Sequence, residues 1–224
     1  MTARGLHPVR WNCTVGPTIE PVTRGDYLKN FARVDSDLTQ DDGLFDLLIS
    51  TARQYAENYT GLSLNTQTWR ATMDAFPGFM VPQAPFAGIA AWIPSPQPDS
   101  EIPLLHGPVT AVVAVTYLDS AGVAQTMAPT DYVLDTSGLF PRIAPAHGKA
   151  WPATLPQIGA VTIDITTGYG PATTDIPAGI RHWILLRVNT IYRNREEVAI
   201  LNRGKVEALP FVDSLLDYYR QPTI

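Results

Sequence analysis

One cysteine, Cys13, stands in a chain of 224 residues. A lone thiol cannot close an intramolecular disulfide, and it argues against a cysteine-based metal site; Cys13 reads as a free thiol in a loose arm. No run of about 18 apolar residues occurs, so no transmembrane helix is expected. The opening stretch MTARGLHPVRWNCTVG has no continuous apolar segment, so no secretory signal is expected. Lysine is scarce as well, three against thirteen arginines. Arginine suits fixed, bidentate contacts at interfaces, although a coding bias gives the same ratio.

The patterns that carry chemistry are missing too. There is no Walker-type phosphate loop, and Gly168-Tyr169-Gly170 is a bare GxG that opens no helix at the right distance. His7, His106, His147 and His182 are scattered, with no HExxH and no His-x-His, and read as surface or hydrogen-bonded histidines rather than zinc ligands. Ser137-Gly138 and Ser120-Ala121-Gly122 are not nucleophile elbows. Asp41 with Asp42 is better explained by a helix start than by a metal or acid–base pair. No basic-aromatic stretch suited to stacking single-stranded nucleic acid appears. We therefore expect no enzyme, no catalytic residue, no cofactor and no metal site.

A net charge of −5 gives no general attraction to nucleic acid or an anionic membrane. Its distribution is uneven. Residues 62–176 carry three basic and eight acidic side chains, whereas residues 177–224 carry seven basic and five acidic.

What is present is helical periodicity at both ends and strand patterning between. Thr39 to Gly61 reads as a long amphipathic helix, with Thr39 as cap and Phe45, Leu48, Ala52, Tyr55, Ala56 and Tyr59 as its apolar stripe. Asp41, Asp42 and Asp46 put negative charge near its positive end, and Gly61 closes it. Thr23 with Asp26 resembles a capping box for a short helix ahead of it. Asp175-Ile176-Pro177 signals another helix start, followed by Ile180, Trp183, Ile184, Val188 and Ile191 at helical spacing. A last short helix is marked by Phe211, Leu215, Leu216 and Tyr219.

Strands are expected over Thr66–Phe76, Val109–Leu118, Val123–Met127, Asp131–Leu134, Leu139–Ile143 and Ala160–Thr167. Residues 77–108 are too proline-rich for helix or central strand and are expected as loop and edge, tacked down by Phe79, Phe86, Trp92 and Ile93. The fold class is therefore α+β: a small helical bundle of N- and C-terminal segments with an inserted antiparallel sheet or sandwich. The expected divisions are an extended arm over 1–22, a helical core from 23–61 plus 172–224, and a β insertion over 62–171.

Taken in order, several segments resemble the head–tail connector (adaptor) proteins of tailed phages, a family also found in gene transfer agents. The resemblance runs from about Tyr27 to Arg220. Its carriers are Leu47-Leu48-Ile49 through Tyr59-Thr60-Gly61, Thr66-Gln67-Thr68-Trp69, Tyr117-Leu118-Asp119 with Gly122, and Trp151-Pro152. Gly168-Tyr169-Gly170, Ile176-Pro177, Tyr192 to Glu196, and Leu209-Pro210-Phe211 through Tyr219-Arg220 complete the series.

The resemblance implies a ring of this chain, dodecameric to match the portal, that lies beneath the portal protein. The ring passes double-stranded DNA without sequence recognition and receives a stopper or tail-completion protein. It implies a place in the virion neck, reached from the host cytoplasm, with no membrane partner. Under it, the C-terminal segment is assigned to the portal, with Phe211, Leu215, Leu216, Tyr219 and Arg220 as docking residues. Arg193, Arg195 and Glu196 are assigned to subunit–subunit contacts. Deleting residues 209–224 is expected to leave a folded monomer. The reading of a different class is a ligand- or carbohydrate-binding β module on a helical base, with Trp69, Trp92 and Trp151 as an aromatic platform.

Overall fold

The computed structural model describes residues 9–35, 37–77, 100–138, 140–193 and 210–221, with backbone alone at 26–27 and 210–213. Within these the chain combines helices and antiparallel sheets, the α+β class expected. It divides into two compact units: residues 1–15, 68–105 and 109–166 form one, and residues 16–67, 106–108 and 167–224 form the other.

The first unit is built on strands. A five-stranded sheet has the order β1-β2-β8-β4-β5, and a three-stranded sheet the order β3-β7-β6. The strands are β1 (Arg10–Val15), β2 (Gln67–Met73), β3 (Ile102–Pro103), β4 (Val109–Leu118), β5 (Ala124–Thr126), β6 (Tyr132–Asp135), β7 (Arg142–Pro145) and β8 (Val161–Thr167). β8 shows why alternation makes a strand. Val161, Ile163 and Ile165 are fully buried, while Thr162, Asp164 and Thr166 between them are half-exposed. Asp119 closes the β4–β5 hairpin. Its carboxylate accepts the Ala121 and Val123 N–H groups at 2.9 Å each and the Gln125 amide at 3.0 Å.

One strand was not expected, and one falls within the stretch expected as loop and edge. The arm at the N-terminus contributes β1, which pairs antiparallel with β2, Trp11 opposite Ala71 and Cys13 opposite Trp69. Ile102–Pro103 makes a short edge on β7. Phe79, Phe86, Trp92 and Ile93 lie outside the described residues.

The second unit holds the helices α1 (Lys29–Ala32), α2 (Asp42–Thr60), α3 (Ala178–Arg193) and α4 (Pro210–Asp217). Its apolar interior takes Phe45, Leu48 and Ile49 from α2, Trp183, Ile184 and Val188 from α3, and Leu216 from α4. Segments more than a hundred residues apart thus share one core. Two start signals resolve differently. Asp41, not Thr39, is the N-cap of α2, and no side chain caps it. The Asp41 and Asp42 side chains serve tertiary contacts instead, with the Tyr192 hydroxyl at 2.7 Å and the Lys29 ammonium at 3.0 Å. At Thr23 no regular helix follows. Gly25 is non-helical (φ −50°, ψ −168°), and the backbone makes a wide turn over Arg24–Leu28 before α1. At the far end Gly61 takes φ +73° and its N–H closes α2 on the Glu57 carbonyl.

Candidate assembly surface

The helical unit presents an aromatic and cationic face. Tyr55 was expected in the core stripe but is 42% exposed. Its ring lies flat on Trp183 at 5.4 Å between centroids and runs on to Tyr59 at 6.1 Å. One turn of α2 separates the two tyrosines, so their rings share one side of the helix. The Arg187 guanidinium of α3 covers Tyr55 at 5.7 Å, and Arg220, just past α4, covers Tyr59 at 5.3 Å. The Tyr59 hydroxyl donates to Asp217 at 2.6 Å. Each guanidinium is thereby held against a ring with its N–H edge left for another acceptor.

The residues assigned from sequence to portal docking separate in the structure. Leu216 is fully buried in the bundle's own core, and Leu215 and Tyr219 pack half-buried against it. The Tyr219 ring lies over α3 at Gly179, where a Cβ would sit 3.0 Å from its hydroxyl oxygen. Arg220 is exposed, and the neighbouring Tyr218 is 88% exposed. The Phe211 side chain lies outside the described residues, as do Arg195 and Glu196. Arg193 is exposed at the end of α3, where it donates to Asn189 at 3.1 Å and reaches the Ala32 carbonyl at 3.5 Å.

Charge pairing divides the basic residues into two classes. Arg10, Arg24, Lys29, Arg53, Arg70, Arg142 and Lys149 each meet a carboxylate within 4.0 Å. Arg33, Arg181, Arg187, Arg193 and Arg220 meet none among the described residues. Four of those five belong to α3 or follow α4. Sequence reading found the mildly basic C-terminal part but not this, because the carboxylates that neutralise the other arginines come from distant segments. Arg70 with Asp164 is an example, 94 positions apart and joined by two bonds at 2.7 and 2.8 Å.

Across α2 from Tyr55 and Tyr59 lies a largely buried ionic cluster that the sequence reading missed. Arg53 donates to Glu20 at 2.8 Å and to Glu57 at 2.6 Å. The other Glu57 oxygen accepts the Leu64 N–H at 3.0 Å and the Gln67 amide at 2.5 Å. The end of α2 is thus tied to the chain on both sides of it.

The other expected constellation does not form among the described residues. Trp69 packs half-buried on the core of the strand unit, and Trp151 stacks on Phe76 at 4.7 Å and donates to the Ser100 carbonyl at 2.6 Å. Trp92 lies outside the described residues. Among the described residues no group of three metal-ligating side chains occurs, and no helix is long and apolar enough to cross a membrane. His106 is half-buried, and that burial pulls its pKa below the usual histidine value, while His147 and His182 are exposed.

No family model and no curated protein matches the chain. Solved structures do. A chain from the neck of an empty gene transfer agent (GTA) particle, computed with C6 symmetry, is similar with TM-score 0.70 at 21% identity, over 96% of this chain and 97% of that one. A chain from the virion of a native GTA particle follows with TM-score 0.68 at 19% identity, over 96% of each chain. A third, from the neck of a native GTA particle computed with C12 symmetry, gives TM-score 0.58 at 21% identity, over 94% and 97%. The fold is that of these particle chains. With so few residues in common, the shared feature is the backbone path along nearly the whole length of both chains.

Proposed function

We propose that this chain is a structural protein of a virion neck. In this reading it is a head–tail connector, or adaptor, that forms a ring beneath the portal protein, continues the DNA channel and joins the head to a stopper or tail-completion protein. The observation that carries the reading is end-to-end likeness of fold to a chain in a GTA neck. A shared motif or a single domain would say less. The C6 and C12 symmetries of the neighbours' necks are those of rings, and a dodecamer is the copy number proposed here. The absence of any catalytic motif in the sequence agrees with a non-enzymatic role. A surface whose net charge is −5 also suits a channel that lets double-stranded DNA slide without holding it.

The C-terminal segment is kept at the portal, with Phe211, Leu215, Tyr219 and Arg220 as docking residues and Leu216, which has no exposed surface, holding the segment to the bundle instead of docking; Arg193, Arg195 and Glu196 stay at subunit contacts. Because Leu216 belongs to the bundle's own core, removing 209–224 strips that core as well as the docking segment. The sharper test keeps the helix. Purified chain mixed with portal protein should give rings on portal complexes by negative-stain imaging, and Arg220→Glu with Tyr218→Ala should fold normally but join them less. A chain that stays apart from portal in every mixture overturns the reading.

A further inference from the structure

β4 is only half covered on its outer side. β5 pairs with Thr116, Tyr117 and Leu118, and one further bond joins the Met127 N–H to the Val115 carbonyl. Residues 109–114 therefore have β8 on one side and, among the described residues, no strand on the other. That edge reads VTAVVA, with no charge and no proline. Soluble proteins guard such an edge with lysine, proline or a bulge, because its N–H and C=O groups pair readily with another chain. The side chains mark the same place. Val113 lies on the face of β4 that buries Val109 and Val115, yet it is 60% exposed, and Ala111 beside it is exposed as well.

The far end of the same sheet supplies a match. β1 is the last strand there, six residues long, and its one charge, Arg10, is neutralised by Asp74. Direction fits too. β1 runs antiparallel to β2. Arg70 of β2 bonds Asp164, and Asp74 accepts the Gly159 N–H, so β8 runs against β2. Thr110 of β4 bonds the Thr166 carbonyl, and Thr116 bonds Thr162, so β4 runs against β8. After four alternating strands β1 and β4 point opposite ways. Laid edge to edge, β4 of one copy and β1 of the next are antiparallel, and the alternation continues. The faces agree as well. Trp11 and Cys13 stand opposite Ala71 and Trp69 on the core side of the sheet, which is the side of Ala111 and Val113.

Resting on the ring reading above, we propose that β1 of one copy pairs with the open edge of β4, residues 109–114, in the next, so that one sheet runs on through neighbouring copies. The contact is head-to-tail and keeps the same sense at every junction, as a ring requires. Backbone hydrogen bonds supply the attraction, and Trp11 of the incoming strand covers Val113. A strand from the portal is the poorer occupant, because the chain itself brings one strand of matching length and direction for every open edge.

Cys13 makes the test direct, since it is the only thiol in the chain. On the shared face it falls opposite position 111 or 113 of the neighbouring copy. Full-length Ala111→Cys and Val113→Cys variants are assembled with portal protein and oxidised with glutathione disulfide. Within one copy β2 and β8 stand between the two thiols, a gap of about 14 Å, roughly twice the reach of a disulfide. The bond can therefore form only between copies. One of the two variants should give a ladder of disulfide-linked multimers on a non-reducing gel, while Val133→Cys, exposed on the other sheet, should stay monomeric. Rings without a ladder from either variant, or an equal ladder from Val133→Cys, overturn the proposal. A second variant, Ala111→Lys with Val113→Lys, places charges at two exposed positions and should keep a urea midpoint near that of the parent. Its ring formation should be at least about tenfold weaker. Parent-like ring formation overturns the proposal, and so does loss of joining to portal with association between copies unchanged, which would give the edge to a portal strand. A parent chain that never forms rings, alone or with portal, overturns both this and the adaptor reading; a parent chain that forms laddered rings but ignores portal sinks the adaptor reading alone.

Discussion

The Tyr192 hydroxyl donates to the Asp41 carboxylate at 2.7 Å across 151 positions of sequence, and the Tyr192 ring stacks on Phe45 at 4.5 Å. One residue of α3 therefore fixes the start of α2 both by charge and by apolar contact. The pair also gives Asp41 a task that an unpaired helix cap would not. Tyr192→Phe keeps the stack and removes the hydroxyl. We expect a loss of about 1.5 kcal/mol, the lower end of the scale for a hydrogen bond to a charged group, since the pair is only partly buried. Tyr192→Ala should lose roughly 2 to 3 kcal/mol. Urea unfolding checks both: a Tyr192→Phe variant as stable as the parent would mean that the hydrogen bond adds nothing, and equal losses for the two variants that the ring stack adds nothing.

Leu216 gives the second prediction. It has no exposed surface and packs in the α2–α3 core. Leu216→Ala should cost about 3 kcal/mol, whereas the exposed Tyr218→Ala should change stability by less than about 0.5 kcal/mol. If docking runs through α4, Tyr218→Ala should instead weaken joining to portal. Similar unfolding midpoints for the two variants would mean that α4 does not belong to the folded core.

Much of this arrangement was legible in the residues. Ile180, Trp183, Ile184 and Val188 at helical spacing, and Val161, Ile163 and Ile165 at alternate positions, announce a buried helix and a half-buried strand because periodicity follows directly from backbone geometry. β1 was not read. Arg10–Val15 does alternate, with Trp11, Cys13 and Val15 apolar between Arg10, Asn12 and Thr14, but six residues among the prolines of the arm are a short signal, and the partner edge comes from β2, more than fifty positions on. Nor was the exposure of Tyr55, since a tyrosine at a core spacing looks apolar until the arginine covering it is known. Val113 makes the opposite point. It sits in an unbroken apolar run yet is 60% exposed, so strand identity was readable and burial was not.

Gly168 offers a third test. It adopts φ +112°, a conformation that favours glycine, and a Cβ there would run into the backbone of Asn65 and Thr66. Backbone cannot swing aside as a long side chain can. Gly168→Ala should therefore cost about 3 kcal/mol or more, and Gly122→Ala, with φ +80° but open space around it, about 1 kcal/mol. Thermal unfolding compares them, and a Gly168 variant as stable as the Gly122 variant would remove the close approach from the account.

The pH dependence of the strand unit has a clear sign at Asp135. Bonds from the Ser137 hydroxyl and N–H and from Arg142 lower its pKa from 3.8 to about 2. A depressed carboxyl stabilises the folded chain above its unfolded pKa, and that contribution fades as pH falls from about 4 through about 2. Ser137→Ala removes the largest cause. The Asp135 carboxyl, followed by NMR titration, should then shift its midpoint upward toward 3.8, with Arg142 retaining part of the depression. A midpoint unchanged by the substitution would transfer the cause to the backbone N–H of residue 137 and to Arg142.

Arg53 carries the last prediction. Its side chain is 10% exposed and Glu57 beside it 15%. Arg53→Ala leaves Glu57 with the Leu64 and Gln67 N–H donors but no positive charge in a nearly buried place. Stranding one half of such a pair typically costs about 3 to 5 kcal/mol, far more than an exposed ion pair contributes. Glu57→Gln alone should also be costly, since it leaves Arg53 with Glu20 only and turns one acceptor of that network into a donor. The double variant Arg53→Met with Glu57→Gln removes both charges and keeps most of the volume. It should therefore be less destabilised than Arg53→Met and Glu57→Gln measured singly and added together, with a coupling of about 1 to 3 kcal/mol by urea unfolding. Strict additivity would show that the two side chains act independently and that the end of α2 is held by its apolar contacts alone.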